Sequence, residues 1–346
     1  MRLANFLSYA GNPRATAEQV VAQERAGLDI VWVAEAYGFD SPTLMGYLAA
    51  KTETVEIGSA IINVYSRTPG AIAQTAAGLD NVSQGRAILG LGASGPQVIE
   101  GFHGVPYSRP LTRTREVIDV VRQALAREAP IELDGRTVTV PLPADEGTGL
   151  GKALKLLNHP VRPSVPMYIA SLGEKNVTLT AEVADGWMPH LYIPEHARDV
   201  WGGALDAGAA ARADGLGPLE VAAGGLLAIT DDEAERENLL NLGRAMVALY
   251  VGGMGAKGRN FYNDLFVNYG YEQEAAEIQD LYLSGKKREA EALVPREALE
   301  RLNLIGSEAF IKERIAAFRE SGVTVLNVSP LTPDPQVIAT VKDLLA

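Results

Sequence analysis

Two glycine-rich loops and one isolated carboxylate hold the residues of this sequence best suited to chemistry. The first loop lies in AILGLGASGPQVIEGFHG (87–104), where an apolar run opens into Gly90, Gly92 and Gly95. It has the look of a nucleotide-binding turn but does not complete one, and no Lys-Ser/Thr pair follows for a phosphate-cradling loop. Glycine at the end of a strand lets the backbone approach a flat ligand closely. The alternative is a tight turn chosen only for its geometry. The second loop, YIASLGEKNVTL (168–179), passes from strand to helix with Ser171, Gly173, Lys175 and Asn176 at the junction. Amides exposed at a helix N-terminus hold an anion even in an acidic protein, and Lys175 adds a local positive charge. Ordinary capping by Ser171 or Asn176 competes with that reading. Glu35 ends the apolar run IVWVAEA (30–36), where a carboxylate can reach a bound ring. The alternative is a structural ion pair with an arginine.

Other chemistries are poorly supported. The four histidines, His103, His159, His190 and His196, show no metal-ligand spacing, so no metal site is expected. Cysteine is absent, which removes disulfides, thiolate catalysis and Cys-ligated clusters. There is no G-x-S-x-G elbow, and Ser94 lacks a matched His and Asp pattern. Trp187 in ADGWMPH reads as core and His190 just beyond it as a surface residue. The net charge of −12 repels nucleic acid and anionic lipid, leaving a small molecule as the expected partner. No apolar run reaches membrane-spanning length and the start does not resemble a signal peptide, so a cytoplasmic location is expected.

The elements that must position these loops alternate along the chain. Eight strand candidates are RLANFLSY, LDIVWVAEA, VEIGSAIIN, RAILGLG, VPMYIAS, DGWMPHL, LEVAAGGLLAIT and GVTVLNVSP. Amphipathic helices separate most of them, two with Pro at the first position, capped by Ser41 before Pro42 and by Thr68 before Pro69. Continuous apolar strands between helices predict a parallel sheet covered by helices, and eight units close most naturally into a (β/α)₈ TIM barrel. A doubly wound sheet is the second choice. Residues 1–346 read as one domain with insertions at about 130–165 and 231–320. The first contains a hairpin at the Asp-Gly of IELDGRTVTV, and the second is largely helical around YVGGMGAKGRNFYNDL. Both are expected to roof the C-terminal mouth of the barrel, where the loops after strands gather.

In order and spacing, VWVAEAYGFDSPT, IGSAIINVYSRTPGAIAQTAAGLD, GRAILGLGASGPQVIEGFHG, YIASLGEKN and AEVADGWMP resemble the luciferase-like monooxygenase superfamily. The resemblance covers nearly the whole chain and is greatest to the branch of deazaflavin (coenzyme F420) dependent oxidoreductases. It implies a barrel holding the cofactor's tricyclic ring at its mouth and a hydride exchanged with a small organic substrate. Glu35 takes the acidic position near the ring. Ala60, Ile61 and Asn63 match the third-strand bulge behind it, with a cis peptide expected between Ala60 and Ile61. Ala93, Ser94 and Gln97 match the loop beside the ring and its ribityl-like chain. Ala170, Ser171, Gly173, Lys175 and Asn176 match the phosphate loop, and Lys152 and Lys155 are expected near the anionic tail beyond it. Some relatives place a histidine after the acidic residue; here Ala36 stands there, which leaves Glu35 and Tyr37 as catalytic candidates. Glycines 252, 253, 255 and 258 suggest a moving lid, with a static connection as the alternative. The resemblance also implies a homodimer through the first helices. Two alternatives stay open: an FMN-dependent monooxygenase of the same superfamily, and a non-catalytic flavin- or deazaflavin-binding protein.

Overall fold

The computed structural model describes residues 1–7 and 11–345. The chain opens with β1 (Arg2–Leu7), α1 (Pro13–Arg25), β2 (Ile30–Val33) and α2 (Ser41–Lys51). Ser8 and Tyr9, the end of the first expected strand, lie outside the described residues. Next come β3 (Glu56–Ser59), β4 (Ile62–Asn63), α3 (Pro69–Val82), β5 (Ala87–Gly92), α4 (Pro96–Gly101) and α5 (Pro110–Ala126). Proline opens α1 and α3 where a missing amide proton is harmless, and Asn12 and Thr68 accept from the free amides of their first turns. Helix α2 departs from expectation. Its cap is Asp40, which accepts from the Thr43 amide and hydroxyl, while Ser41 is drawn inward to Glu35.

A hairpin of β6 (Leu133–Asp134) and β7 (Thr139–Val140) follows, then β8 (Met167–Ala170), α6 (Glu174–Val183), β9 (Gly186–Trp187), α7 (Ala197–Ala210) and β10 (Glu220–Ile229). The expected Asp-Gly hairpin is present, but its loop is not a two-residue turn. Gly135 to Val138 form it, and the Glu116 carboxylate on α5 accepts from the Arg136, Thr137 and Val138 amides. The second insertion consists of α8 (Glu233–Ala248), a π-helical turn over Leu249–Gly253, α9 (Phe261–Asn268), α10 (Glu272–Leu283), α11 (Lys287–Ala292) and α12 (Arg296–Leu302). Then come β11 (Leu304–Gly306), α13 (Glu308–Glu320), β12 (Val325–Pro330) and α14 (Gln336–Leu344).

Eight parallel strands close on themselves in the order β1, β2, β3, β5, β8, β9, β10, β12 and back to β1. The closure excludes the open doubly wound sheet and bears out the barrel. Strand β11, hidden in a stretch read as helical, is an addition that pairs Leu304–Gly306 with Leu227–Ile229 at the end of β10. Side chains alternate between two cores. The larger lies between strands and helices; the smaller fills the barrel with Ala4, Ile30, Trp32, Ile88, Tyr168 and Val325 among others. The N-terminal end of the barrel carries an ionic plug. Arg2 donates to Glu56, Glu220 and the Tyr168 hydroxyl, and that hydroxyl donates to Glu220. Burial drives the Tyr168 phenol far above its usual range, helped by Glu220, so it stays protonated.

The two insertions sit at different places. The first follows a helix rather than a strand, and its second half runs along the N-terminal end of the barrel. Arg162 fastens it to Asp80 and to the carbonyl of Ala87, the first residue of β5, and Lys155 donates to the Glu128 carbonyl just past α5. These contacts take Lys155 to the opposite end from the mouth, while the hairpin rises along α5, where Arg113 donates to both the Thr137 and Val64 carbonyls. The second insertion follows the end of β10 and does cover the mouth: Tyr269 on α9's end exchanges hydrogen bonds with the Leu191 and Ile193 backbone just beyond β9. Among the described residues no helix is long and apolar enough to cross a membrane.

Candidate active site at the barrel mouth

Pairing register brings the three expected loops together. Asn63 lies beside Gly92, and Gly92 beside Ala170, so β4, β5 and β8 end at one height. The peptide between Ala60 and Ile61 is cis, as the resemblance implied. Ala60, Ile61 and Ala170 join Phe6 on the barrel side of the sheet, at the C-terminal ends of their strands. The glycines of the first loop have a different reason from the one their sequence suggested. A Cβ on Gly90 would overlap the Ser59 carbonyl oxygen, and one on Gly92 would lie 2.9 Å from Ile61 Cδ1. Ser59 is also stitched to Gly90, its hydroxyl accepting from the amide at 3.0 Å and donating to the carbonyl at 2.8 Å. Gly90 and Gly92 therefore admit the third-strand bulge, and the bulge in turn presents Ile61 to the mouth.

Beyond β5, Ser94 takes a left-handed backbone conformation (φ 56°), its carbonyl accepting from the Tyr107 hydroxyl at 3.3 Å. Ala93 is half-buried, whereas Ser94 and Gln97 are exposed at the start of α4. Asn63 spends its side-chain oxygen on the Tyr65 and Ser66 amides, and its Nδ2 sits 3.3 Å from His103 Nε2.

Helix α6 begins after Gly173 with no side-chain cap, so neither Ser171 nor Asn176 caps it. Ser171 is buried instead, its hydroxyl 2.8 Å from that of Thr180. The loop is fixed through its carbonyls: Trp187 Nε1 donates to Ser171 O and Trp201 Nε1 to Leu172 O, both at 2.9 Å. The Asn176 and Val177 amides donate to the Gly173 carbonyl, which leaves the Glu174 and Lys175 amides at the start of α6 as the donors suited to an anion. The side-chain oxygen of Asn176 is buried with no partner, a vacancy that a ligand hydroxyl would satisfy. Lys175 is exposed and lines a surface groove of about 440 Å³ with Arg115 and Arg136, between α5, α6 and the hairpin. A bulky wall of Ile61, open amides and an orphaned acceptor on adjoining strands suit a flat ring that continues into a hydroxylated, phosphorylated chain.

The Glu35 carboxylate is fully engaged. It takes both Arg67 guanidinium nitrogens, at 2.6 and 2.9 Å, and the amide and hydroxyl of Ser41, at 2.7 and 3.0 Å. This is the structural pairing weighed above, and it makes Arg67 a mouth residue that sequence reading missed. Tyr37 stands 70% exposed on the rim with its ring 6.4 Å from Phe102. His190, expected at the surface, is half-buried under the roof. Its ring centroid is 4.3 Å from Tyr250 and 5.9 Å from Tyr262, and Nε2 is buried without a partner. Burial pushes its imidazole down to about 4. The signal was legible: Gly186, Met188 and His190 share one parity, and Met188 faces the barrel interior.

A family model described as luciferase-like monooxygenase matches residues 1–325. The chain belongs to that family. Among the relatives of this luciferase-like chain is a Mycobacterium tuberculosis protein named, provisionally, a coenzyme F420-dependent oxidoreductase, 40% identical over 95% of both chains. A 5,10-methylenetetrahydromethanopterin reductase of Archaeoglobus fulgidus is 26% identical over 90% of this chain and 88% of its own. Of the solved structures, the coenzyme F420-dependent tetrahydromethanopterin reductase of Methanopyrus kandleri superposes with a TM-score of 0.79 at 23% identity. It covers 98% of this chain and 96% of that one, and supports the luciferase-like barrel.

Proposed function

We propose that this luciferase-like chain is a coenzyme F420-dependent oxidoreductase that exchanges a hydride between the deazaflavin and a small organic substrate. The observation that carries the reading is the adjacency of the Ile61 wall and the uncapped start of α6, on strands that end at one height. The 40% identity with a relative named for this cofactor favours the deazaflavin over FMN. The bound cofactor supplies the hydride; the protein supplies orientation, a dry pocket and fixed dipoles. Ala60 and Ile61 back the ring. Ala93, Ser94 and Gln97 flank it with Asn63. Ala170, Ser171, Gly173 and Asn176 guide the chain to the α6 amides, and Lys175 adds positive charge outside them. Glu35 acts by holding Arg67 and the start of α2, which frames the Tyr37 loop. A cytoplasmic homodimer through the first helices belongs to the same proposal.

Fluorescence titration of the purified protein with oxidised deazaflavin and with FMN tests it. The deazaflavin is expected to bind at least tenfold more tightly, a difference of about 1.4 kcal/mol. Tighter FMN binding would move the assignment to a flavin monooxygenase. Tight deazaflavin binding without turnover of any acceptor would move it to a carrier.

A further inference from the structure

Large aromatic side chains gather around this mouth and stay uncovered. Tyr37, Phe102 and Phe261 are 70, 62 and 66% exposed, and a cluster of exposed rings is a candidate binding surface. They belong to one arc. Tyr37 and Phe102 face each other across the rim, and Tyr37 is near enough to Tyr250 to raise that phenol further, beyond what its burial does. Tyr250 packs on Tyr262 with centroids 4.7 Å apart, and both pack on His190. Phe261 closes the far end over Gly173, where a Cβ would come within 3.2 Å of its ring.

The arc is poor in available charge. Glu35 and Arg67 neutralise each other in a bidentate pair with the carboxylate side chain only 6% exposed. His190 meets a ligand as a neutral imidazole at physiological pH, because burial disfavours its cation. An ionised substrate would lose its hydration here without a matching counter-charge. A flat neutral one would cover the rings and find imidazoles, His190 under the roof and His103 beside Phe102, for its polar group.

We infer that the substrate is an uncharged, planar, mostly apolar molecule with a single polar function such as a ketone, seated between the rim aromatics with His190 beside that function. The inference rests on the hydride-transfer reading and names the substrate class for the same mouth. Equilibrium titration with three probes tests it, with and without saturating oxidised deazaflavin: 2-acetylnaphthalene, its carboxylate analogue 6-acetyl-2-naphthoate, and naphthalene. The neutral ketone is expected to bind at least tenfold more tightly than the carboxylate. Phe261→Ala and Tyr250→Ala should each weaken it at least fivefold, with Tyr250→Phe restoring most of the loss and Leu157→Ala, exposed in the first insertion, changing nothing. His190→Phe should narrow the preference for the ketone over naphthalene.

Equal or tighter carboxylate binding overturns the inference. So does ketone binding indifferent to both Phe261→Ala and Tyr250→Ala, or no ketone binding in either state of the protein. Phe261 is exposed, so its variant reports even if the Tyr250 variants fail to fold. Deazaflavin binding is followed by its own fluorescence. Its absence would refute the hydride-transfer reading, while the ketone isotherms still decide the substrate class.

Discussion

At the scale of single residues, the mouth is held by groups whose partners are already chosen. Glu35 accepts four hydrogen bonds, so removing Arg67 leaves a buried carboxylate supported only by Ser41. Arg67→Ala is expected to lower stability by about 2–3 kcal/mol, while Glu35→Gln, which keeps acceptors for Ser41, should lose less. Urea denaturation of both variants checks the order. His190 gives a pH signature. Its pKa falls from 6.5 to about 4 on folding, so its contribution is whole above pH 6.5 and is lost as pH drops toward 4. His190→Phe should flatten the acid limb of the stability profile by up to about 3 kcal/mol over that window. An unchanged acid limb would show that the imidazole is free to protonate in the folded chain. Sequence reading found Glu35 by its position after an apolar run, yet its partner Arg67 lies in a different βα loop. Nothing in local spacing links the two.

At the scale of elements, packing decides what composition leaves open. Gly90 and Gly95 look alike in GLGASG, but only Gly90 faces a neighbouring backbone; Gly95 has nothing within 4 Å of its missing Cβ. Gly90→Ala is expected to lower stability by more than about 3 kcal/mol or prevent folding, and Gly95→Ala to change it by less than about 0.5 kcal/mol. Thermal melts followed by circular dichroism separate the two. The hairpin depends on another distant group. Burial works to raise the Glu116 carboxyl, but bonds from Thr137 and the amides of 136–138 outweigh it and hold the group below its ordinary value. Glu116→Gln should lower stability by about 1–3 kcal/mol and speed amide exchange at residues 136–138 before it affects the barrel. Strands such as IVWV were legible because they are buried on both faces and read as continuous apolar runs. Strand β11 was not, because three residues between two helices carry no period of their own. In the roof, Gly252 and Gly253 lie against the Tyr282 side chain, and Asn260 ties the following loop to the Tyr250 and Val251 carbonyls. Close packing accounts for these two glycines, whereas Gly258 takes a left-handed backbone (φ 74°) with nothing within 4 Å of its missing Cβ.

At the scale of the whole molecule, stability and ligand contact are divided between the two ends of the barrel. The Arg2 plug closes the bottom, far from Ile61 and α6. Arg2→Met leaves Glu56 and Glu220 facing one another without their cation. It should lower stability by roughly 2 kcal/mol while deazaflavin affinity stays within about twofold. A large loss of affinity in the still-folded variant would show that the ends are coupled. The barrel was readable because eight similar βα units repeat one physical solution, whereas the height of an insertion depends on whether it follows a strand or a helix. Residues 130–165 follow α5, and that single fact moves Lys155 away from the mouth. The same connectivity makes the roof separable. The wall and anion loop come from the third to fifth barrel strands, all before residue 177, while Tyr250, Phe261 and Tyr262 arrive on one uninterrupted segment between β10 and β11. That segment is a natural cassette: exchanging it between relatives would replace Tyr250, Phe261 and Tyr262 in a single cut, while Tyr37, Phe102 and His190 stay with the barrel.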